Sequence, residues 1–150
     1  MRELTLLVGV FLLQHWLETL FLRSFGDFFL ALGLYLALKN RPPGRAGLLL
    51  LTGLWEGYFR SPGIFSGLLA ASAVFWAQRF LEKHLNLESP GPLVFTLLFS
   101  LFLFQAFFFI LIPYLLERGL PALWWRAFFW QNLLTTLALL LIVAIGERGR

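Results

Sequence analysis

The chain has 150 residues, of which 59% are hydrophobic and 13% charged, and its mean hydropathy is +0.79. A soluble domain contains about 45–50% apolar residues, and a chain of this size cannot bury so much more apolar surface, so the composition predicts a protein embedded in lipid. The absence of cysteine excludes disulfides and thiolate chemistry, and the net charge of +4 comes from basic residues scattered at segment ends, which gives no nucleic-acid-binding patch.

Six apolar segments predict six transmembrane helices. The first covers residues 4–22 and is interpreted as a retained helix, because it is long enough to span and no small-residue cleavage site follows it. The second and third are short, at residues 28–38 and 46–59. Between them, residues 39–45 hold three basic side chains. Each would cost roughly 2.5–3.5 kcal/mol near the bilayer midplane, so both short segments are predicted to cross and bring this stretch to water.

The last three segments cover residues 64–80, 93–116 and 127–145. With six crossings, both termini lie on one side together with eight of the twelve basic residues, and the positive-inside rule makes that side the cytoplasm. The aromatic cluster at residues 124–130 then falls at the outer interface, where amphipathic rings accumulate. The prediction is an all-α polytopic membrane protein with a single transmembrane domain over residues 1–150.

Glu56 is an ionisable residue inside an apolar segment, where such a group is costly and usually has a role. Two interpretations remain open. Glu56 lies one helical turn before Arg60, so the two side chains can pair and snorkel to the outer interface. Alternatively, Glu56 faces inwards and fixes a neighbouring helix or a partner, since Gly53 and Gly57 beside it let another backbone approach closely.

Three polar residues of the first segment, Gln14, His15 and Glu18, are predicted to share one helix face. This intramembrane polar stripe is expected to turn towards other helices and hold the bundle together. A metal site would need more ligands, and the only other histidine, His84, lies in a predicted cytoplasmic loop. No metal, haem or other cofactor is therefore predicted, and no arrangement of residues indicates catalysis.

The junction between the third and fourth segments resembles a known family. It joins a Gly-rich apolar run, an intramembrane acid, a small polar turn and a second apolar helix, and this order is similar to the signature of the rod-shape-determining protein MreD family. The residues in these roles are Gly53, Glu56, Ser61, Pro62, Gly63 and Gly67. Glu56 replaces the family's usual Asp, and the glycine after the proline comes early. The size, the six segments and the short second and third segments also resemble this family.

The resemblance implies a non-enzymatic scaffold of the bacterial cell-elongation machinery in the cytoplasmic (inner) membrane. Its family binds MreC, a single-span protein, and works with RodA, a penicillin-binding protein and MreB during peptidoglycan synthesis. The family also looks like the substrate-binding S-components of energy-coupling-factor vitamin transporters, so an S-component-like bundle is expected and an S-component is the alternative function. The short outer loops and the few inward polar residues favour the scaffold.

Small residues of the third and fourth segments are expected to allow tight helix contact in lipid. These small residues, together with Glu56 and Pro62, are predicted partly to bind a partner and partly to pack the bundle itself. The full set is Gly53, Glu56, Gly57, Pro62, Gly63, Gly67 and Ala71. A leucine at Gly67 is expected to weaken partner binding while the protein still inserts. The Phe-rich fifth segment is the next candidate for the binding face. Membrane lipid is the remaining predicted partner.

Overall fold

The computed structural model describes residues 2–21, 27–59, 64–107 and 124–147, with side chains described for 5–16, 27–58, 64–107 and 129–146. These ranges are all-helical and contain no strand, which confirms the all-α prediction. The helices are α1 Arg2–Phe21, α2 Phe28–Lys39, α3 Pro42–Phe59, α4 Ile64–His84, α5 Pro90–Gln105 and α6 Trp124–Glu147.

The turn between α2 and α3 is shorter than the sequence predicts. Helix α3 begins at Pro42, not at residue 46, because proline has a backbone φ suited to the first helical position and needs no N–H partner there. Only Asn40 and Arg41 remain outside the two helices. The prediction that residues 39–45 form a water-exposed polar stretch is therefore wrong for Arg45, which lies in the first turn of α3 and is 2% exposed.

The other bounds differ less. Helix α4 runs to His84, beyond the predicted end at residue 80, so His84 belongs to a helix and not to a loop. Helix α5 is followed by a π-helical turn at residues 106–107, and the rest of the predicted fifth segment lies outside the described residues.

Two described helices are long and apolar enough to cross a membrane by length and composition, Ile64–His84 and Phe129–Gly146. Three more stretches are apolar but shorter, namely Thr5–Trp16, Phe28–Lys39 and Pro90–Gln105. Helix α3 has 18 residues, but its polar first turn and Glu56 lower its hydropathy. The described part of the structure therefore gives two candidate membrane spans by length and composition.

Helix α2 lies at the centre of the bundle. It packs against α1, α3, α5 and α6, while the most extensive pairing in the described chain joins α3 to α4. A helix that is apolar on all sides fits this central position, because each of its faces meets another helix. Its buried residues are Phe29, Leu30, Ala31, Gly33, Leu34, Ala37 and Leu38.

Side-chain contacts fix which helix ends lie together. Arg45, at the start of α3, pairs with Glu82, near the end of α4. At the opposite end of α2, the Asp27 amide donates to the Thr135 hydroxyl of α6 at 2.7 Å. Gly146, at the end of α6, lies against the Tyr35 side chain of α2. Helices α2 and α6 thus run in the same direction, antiparallel to α3.

Candidate helix-packing and partner-binding site

Gly53 and Gly67 form the closest approach between α3 and α4. A Cβ atom added to either glycine would overlap the backbone carbonyl of the other. An added Cβ on Gly53 would also come within 2.7 Å of the Ala71 Cβ, and one on Gly67 within 3.0 Å of the Gly57 backbone nitrogen. The two helix backbones touch directly here, so the small residues Gly53, Gly57, Gly67 and Ala71 pack within the chain.

This packing corrects one expectation. A leucine at Gly67 cannot fit while α3 and α4 keep their separation, so we now expect it to damage the bundle itself and not only partner binding. Pro62 and Gly63 lie outside the described residues. Gly53, Gly57, Gly67 and Ala71 therefore pack α3 against α4, and their predicted role in partner binding stays a prediction.

Glu56 faces the interior of the bundle and is 5% exposed. It lies one turn after Thr52, which faces α2, because a Cβ added to Gly33 would overlap the Thr52 hydroxyl. Its neighbour in sequence, Trp55, packs edge-on against Phe11 of α1 with the ring centroids 4.2 Å apart. Burial favours the inward-facing interpretation of Glu56, while Arg60 lies outside the described residues.

The amino-terminal end of α2 is capped by side chains. The Asp27 carboxylate accepts from the Leu30 N–H at 2.9 Å, and the Gln14 side-chain oxygen of α1 accepts from the Phe29 N–H at 2.9 Å. Asp27 is itself held by Thr135, whose hydroxyl donates to the Gln131 carbonyl. Two of the backbone N–H groups that every helix start leaves unpaired are thus satisfied without water.

The predicted polar stripe of α1 divides between two environments. Gln14 is 7% exposed and serves α2, as the sequence predicts for a residue that holds the bundle together. His15 is exposed and stacks on Phe11, with ring centroids 5.8 Å apart, so the prediction that it shares an inward face is wrong. Adjacent helical residues differ by about 100° around the axis, which separates these two side chains. The Glu18 side chain is outside the described set.

The carboxy-terminal end of α2 is capped by the Arg45 guanidinium. Its nitrogens donate to the backbone carbonyls of Ala37, Leu38 and Asn40 at 3.2–3.3 Å. The Asn40 side chain caps the Leu36 carbonyl at 2.8 Å. A cation is favourable at the carbonyl end of a helix, where the helix dipole is negative, and this placement offsets the unfavourable position of Arg45 in the first turn of α3.

Glu82 completes the environment of Arg45. Its two carboxylate oxygens accept from two different guanidinium nitrogens, at 2.6 Å and 3.1 Å, in the forked geometry that suits arginine. The side chain of Arg45 is 3% exposed and that of Glu82 is 43% exposed. The pair therefore lies at the edge of the bundle, with the cation inside and the acid reaching the surface.

Asp27, Arg45 and Glu82 were not among the predicted site residues, although the sequence contains a pattern that marks Asp27 as a helix cap and one that places Arg45 inside a helix. An Asp directly before an apolar run is a typical helix cap, and Asp27 holds that position before α2. Two prolines in a row mark a helix start, which places Arg45 inside α3. No local signal could have paired Arg45 with Glu82, which lies 37 residues later.

A row of polar side chains lies between α4 and α5. The Gln78 side-chain nitrogen donates to the Ser100 hydroxyl at 3.2 Å, and Ser100 donates to the Thr96 carbonyl at 2.7 Å. Gln105, one turn beyond Leu101, is 0% exposed, and among the described residues neither atom of its side-chain amide has a hydrogen-bond partner. Within the same part of the chain, the Gln78 oxygen and the Thr96 hydroxyl have none either.

The outer surface of the described helices is strongly apolar. On α5, Phe95, Phe99 and Phe102 are 55%, 40% and 61% exposed and follow each other at four and three residues, so they form one outward face, called here the Phe face. An apolar groove of about 230 Å³ also lies between α1, α2 and α6, lined by Val10, Leu13, Gln14, Phe28, Leu32 and Ile142.

Among the described residues, no group of three or more histidine and acidic side chains is arranged to hold a metal ion. Comparison of the chain with protein-family models, with curated proteins and with solved structures gives no match. Membership in the MreD family therefore stays a proposal that rests on the sequence resemblance alone.

Proposed function

We propose that this protein is a non-enzymatic, multi-pass scaffold of the bacterial cytoplasmic membrane that binds a single-span partner through its helices. The distribution of polarity is the observation that carries the proposal. In the described chain, 25 large hydrophobic side chains are exposed, while Gln14, Arg45, Glu56, Gln78 and Gln105 are among the buried polar ones. A protein in water avoids large exposed apolar patches, whereas lipid is a favourable surrounding for them.

The proposal includes six crossings with both termini in the cytoplasm. The Arg45–Glu82 pair joins the start of α3 to the end of α4, and Arg45 also caps the end of α2, so α2 and α4 run antiparallel to α3 as this topology requires. The Asp27–Thr135 contact joins the opposite end of α2 to the middle of α6. Among the residues whose side chains are described, the basic residues of the turns and helix ends lie at the Arg45 end: Lys39, Arg41, Arg79 and Lys83. Both observations support a cytoplasmic Arg45 end under the positive-inside rule.

The shortness of α2 is compatible with a crossing. Its 12 residues extend over about 18 Å, against a hydrocarbon thickness of about 30 Å. Backbone groups that end inside a bilayer must be satisfied by protein, and the caps from Gln14, Asp27 and Arg45 do so. A helix of this length can therefore end below the membrane surface.

The Phe face is the proposed docking site for the partner helix. The small residues of α3 and α4 pack against each other within the chain. The Phe-rich fifth segment, which the sequence offers as the next candidate for the binding face, is therefore preferred. The resemblance to the MreD family identifies the partner as an MreC-like protein, with RodA, a penicillin-binding protein and MreB as further members of the assembly.

Photo-crosslinking tests this function. A photoreactive amino acid at Phe99, on the Phe face, is expected to capture an MreC-like single-span protein in living cells. The same amino acid at Leu141, which is 59% exposed on α6, is the matched control and should capture less. Depletion of the protein should also make rod-shaped cells round. Unchanged cell shape together with no captured MreC-like protein at either position would reject the scaffold.

A substrate-binding S-component is the second candidate, and the observation that favours it is the buried amide of Gln105, which has no hydrogen-bond partner among the described residues. A buried amide without a partner carries a desolvation cost that a polar ligand would remove. Native mass spectrometry of the mildly extracted protein distinguishes the two functions. A stoichiometric vitamin that is lost in Gln105→Leu would favour the S-component over the scaffold.

A further inference from the structure

One face of α4 points away from the other described helices. Its side chains change in character along the helix: Phe65 and Leu69 come first, at 74% and 44% exposed, and Trp76 and Phe80 follow, at 69% and 63%. The basic residues Arg79 and Lys83 end the face, and both are exposed. The opposite face packs into the bundle through Ser66, Gly67, Ala70, Ala71, Val74 and Gln78.

The spacing of these groups fits a helix that crosses the bilayer and ends at its surface. From Phe65 to Phe80 the axial rise is about 22 Å, against a hydrocarbon thickness of about 30 Å, and Lys83 lies roughly 5 Å further along. Tryptophan prefers the level of the headgroups, and long basic side chains reach outwards past it. The order apolar, aromatic, basic is thus the order of environments met on leaving the membrane.

Glu82 is the acid of the same turns of α4, and it balances only part of the positive charge at this end. Both of its oxygens are bound to Arg45 of α3, and its charge also interacts with that of Arg79. Arg41, in the neighbouring α2–α3 turn, adds another exposed cation, while Glu88, in the α4–α5 turn, is an exposed acid. The described surface here keeps an excess of positive charge beside exposed aromatic rings.

We propose that Arg79 and Lys83, with Trp76 and Phe80 beneath them, bind the phosphate headgroup of an anionic phospholipid. The inference rests on the proposed membrane location and adds to it a specific lipid class and a specific site. Charge complementarity selects an anionic headgroup, and the apolar surface that leads to it selects a lipid tail. An acidic segment of a soluble protein would leave Phe65 and Leu69 without a partner.

The test measures lipid retention by native mass spectrometry, with the full chain titrated with phosphatidylglycerol or phosphatidylcholine. A basic residue near an anionic surface contributes about fivefold to binding, so Arg79→Gln with Lys83→Gln should weaken phosphatidylglycerol binding roughly 25-fold. Phosphatidylcholine binding should stay unchanged, and inorganic phosphate should not displace the lipid. Added salt should weaken the binding of phosphatidylglycerol to the unmodified protein.

The matched control is Lys39→Gln with Arg41→Gln, which removes the same charge from the adjacent turn. Equal losses in both double variants would overturn the site, since they would show only a diffuse effect of net charge. Unchanged phosphatidylglycerol binding in Arg79→Gln with Lys83→Gln would overturn the site as well. So would a result in which this double variant loses a bound acidic protein but retains phosphatidylglycerol. Partner capture at Phe99 is measured separately, so failure of the lipid site is distinguishable from failure of the scaffold.

Discussion

Arg45 and Glu82 form a forked ion pair in which the arginine is buried and the glutamate is 43% exposed. The two residues therefore differ in the contacts that they make. The guanidinium also binds three backbone carbonyls at the end of α2, whereas the carboxylate serves only as the second half of the pair in the hydrogen bonds described.

This asymmetry predicts unequal effects of mutation. Arg45→Gln should lower the free energy of unfolding by about 1–3 kcal/mol, because it leaves the carbonyls at the end of α2 without their donor. Glu82→Gln should cost about 1 kcal/mol or less, since Glu82 is close to half exposed and water can replace it. Thermal unfolding in detergent, followed by tryptophan fluorescence, compares the two. Equal losses of stability would show that Arg45 acts only as a charge partner.

The contact of α3 with α4 gives a second prediction. Gly67→Ala should destabilise the protein by about 1–3 kcal/mol, because its new methyl group meets the Gly53 carbonyl and backbones cannot move aside like side chains. Gly47→Ala on α3 is the matched control, since nothing lies within 4 Å of its added Cβ. Unfolding midpoints of the two variants check this. A tolerated Gly67→Ala would mean that α3 and α4 separate easily.

Gln105 predicts an unusual result for a buried residue. Gln105→Leu should be neutral or stabilise the ligand-free protein by about 1–3 kcal/mol, because it removes two buried polar atoms that lack partners. Gln78→Leu is the comparison, and it should be destabilising because Gln78 donates to Ser100. Denaturation of both variants under the same conditions decides the matter. A large loss in Gln105→Leu would reveal a polar partner of Gln105.

The cap of α2 gives a fourth prediction. Asp27→Ala should cost about 1–2 kcal/mol of unfolding free energy, since the Leu30 N–H loses its acceptor inside the bundle. Asp27→Asn keeps an acceptor oxygen and should cost less. Hydrogen exchange of the first turn of α2, read by mass spectrometry, should rise in Asp27→Ala. Unchanged exchange would show that Gln14 alone is a sufficient cap.

The helices could be predicted because long apolar runs in a sequence indicate membrane helices directly. The partners of the polar residues could not be predicted in this way. Asp27 and Pro42 mark the starts of α2 and α3 by local chemistry, although the apolar run alone placed the start of α3 four residues too late. Arg45 was predicted to lie in a water-exposed turn. Its burial could not be predicted, because its partner Glu82 is 37 residues away and is brought close only by the fold. The small size of Gly53 and Gly67 predicted close contact, but the sequence could not tell whether the neighbour was α4 or another protein.

The hydrogen bond from Asp27 to Thr135 has a consequence for the biosynthesis of the chain. The two residues are 108 positions apart, so the start of α2 acquires this partner only when the last helix has been made. At about 5–20 residues per second, the ribosome needs roughly 5–20 s to cover that distance. During this interval the start of α2 keeps its caps from the Asp27 carboxylate and Gln14, but the Asp27 N–H lacks its acceptor. Nascent chains halted before α6 should therefore be recognised by quality-control proteases, whereas chains halted after Thr135 has left the ribosome should escape them.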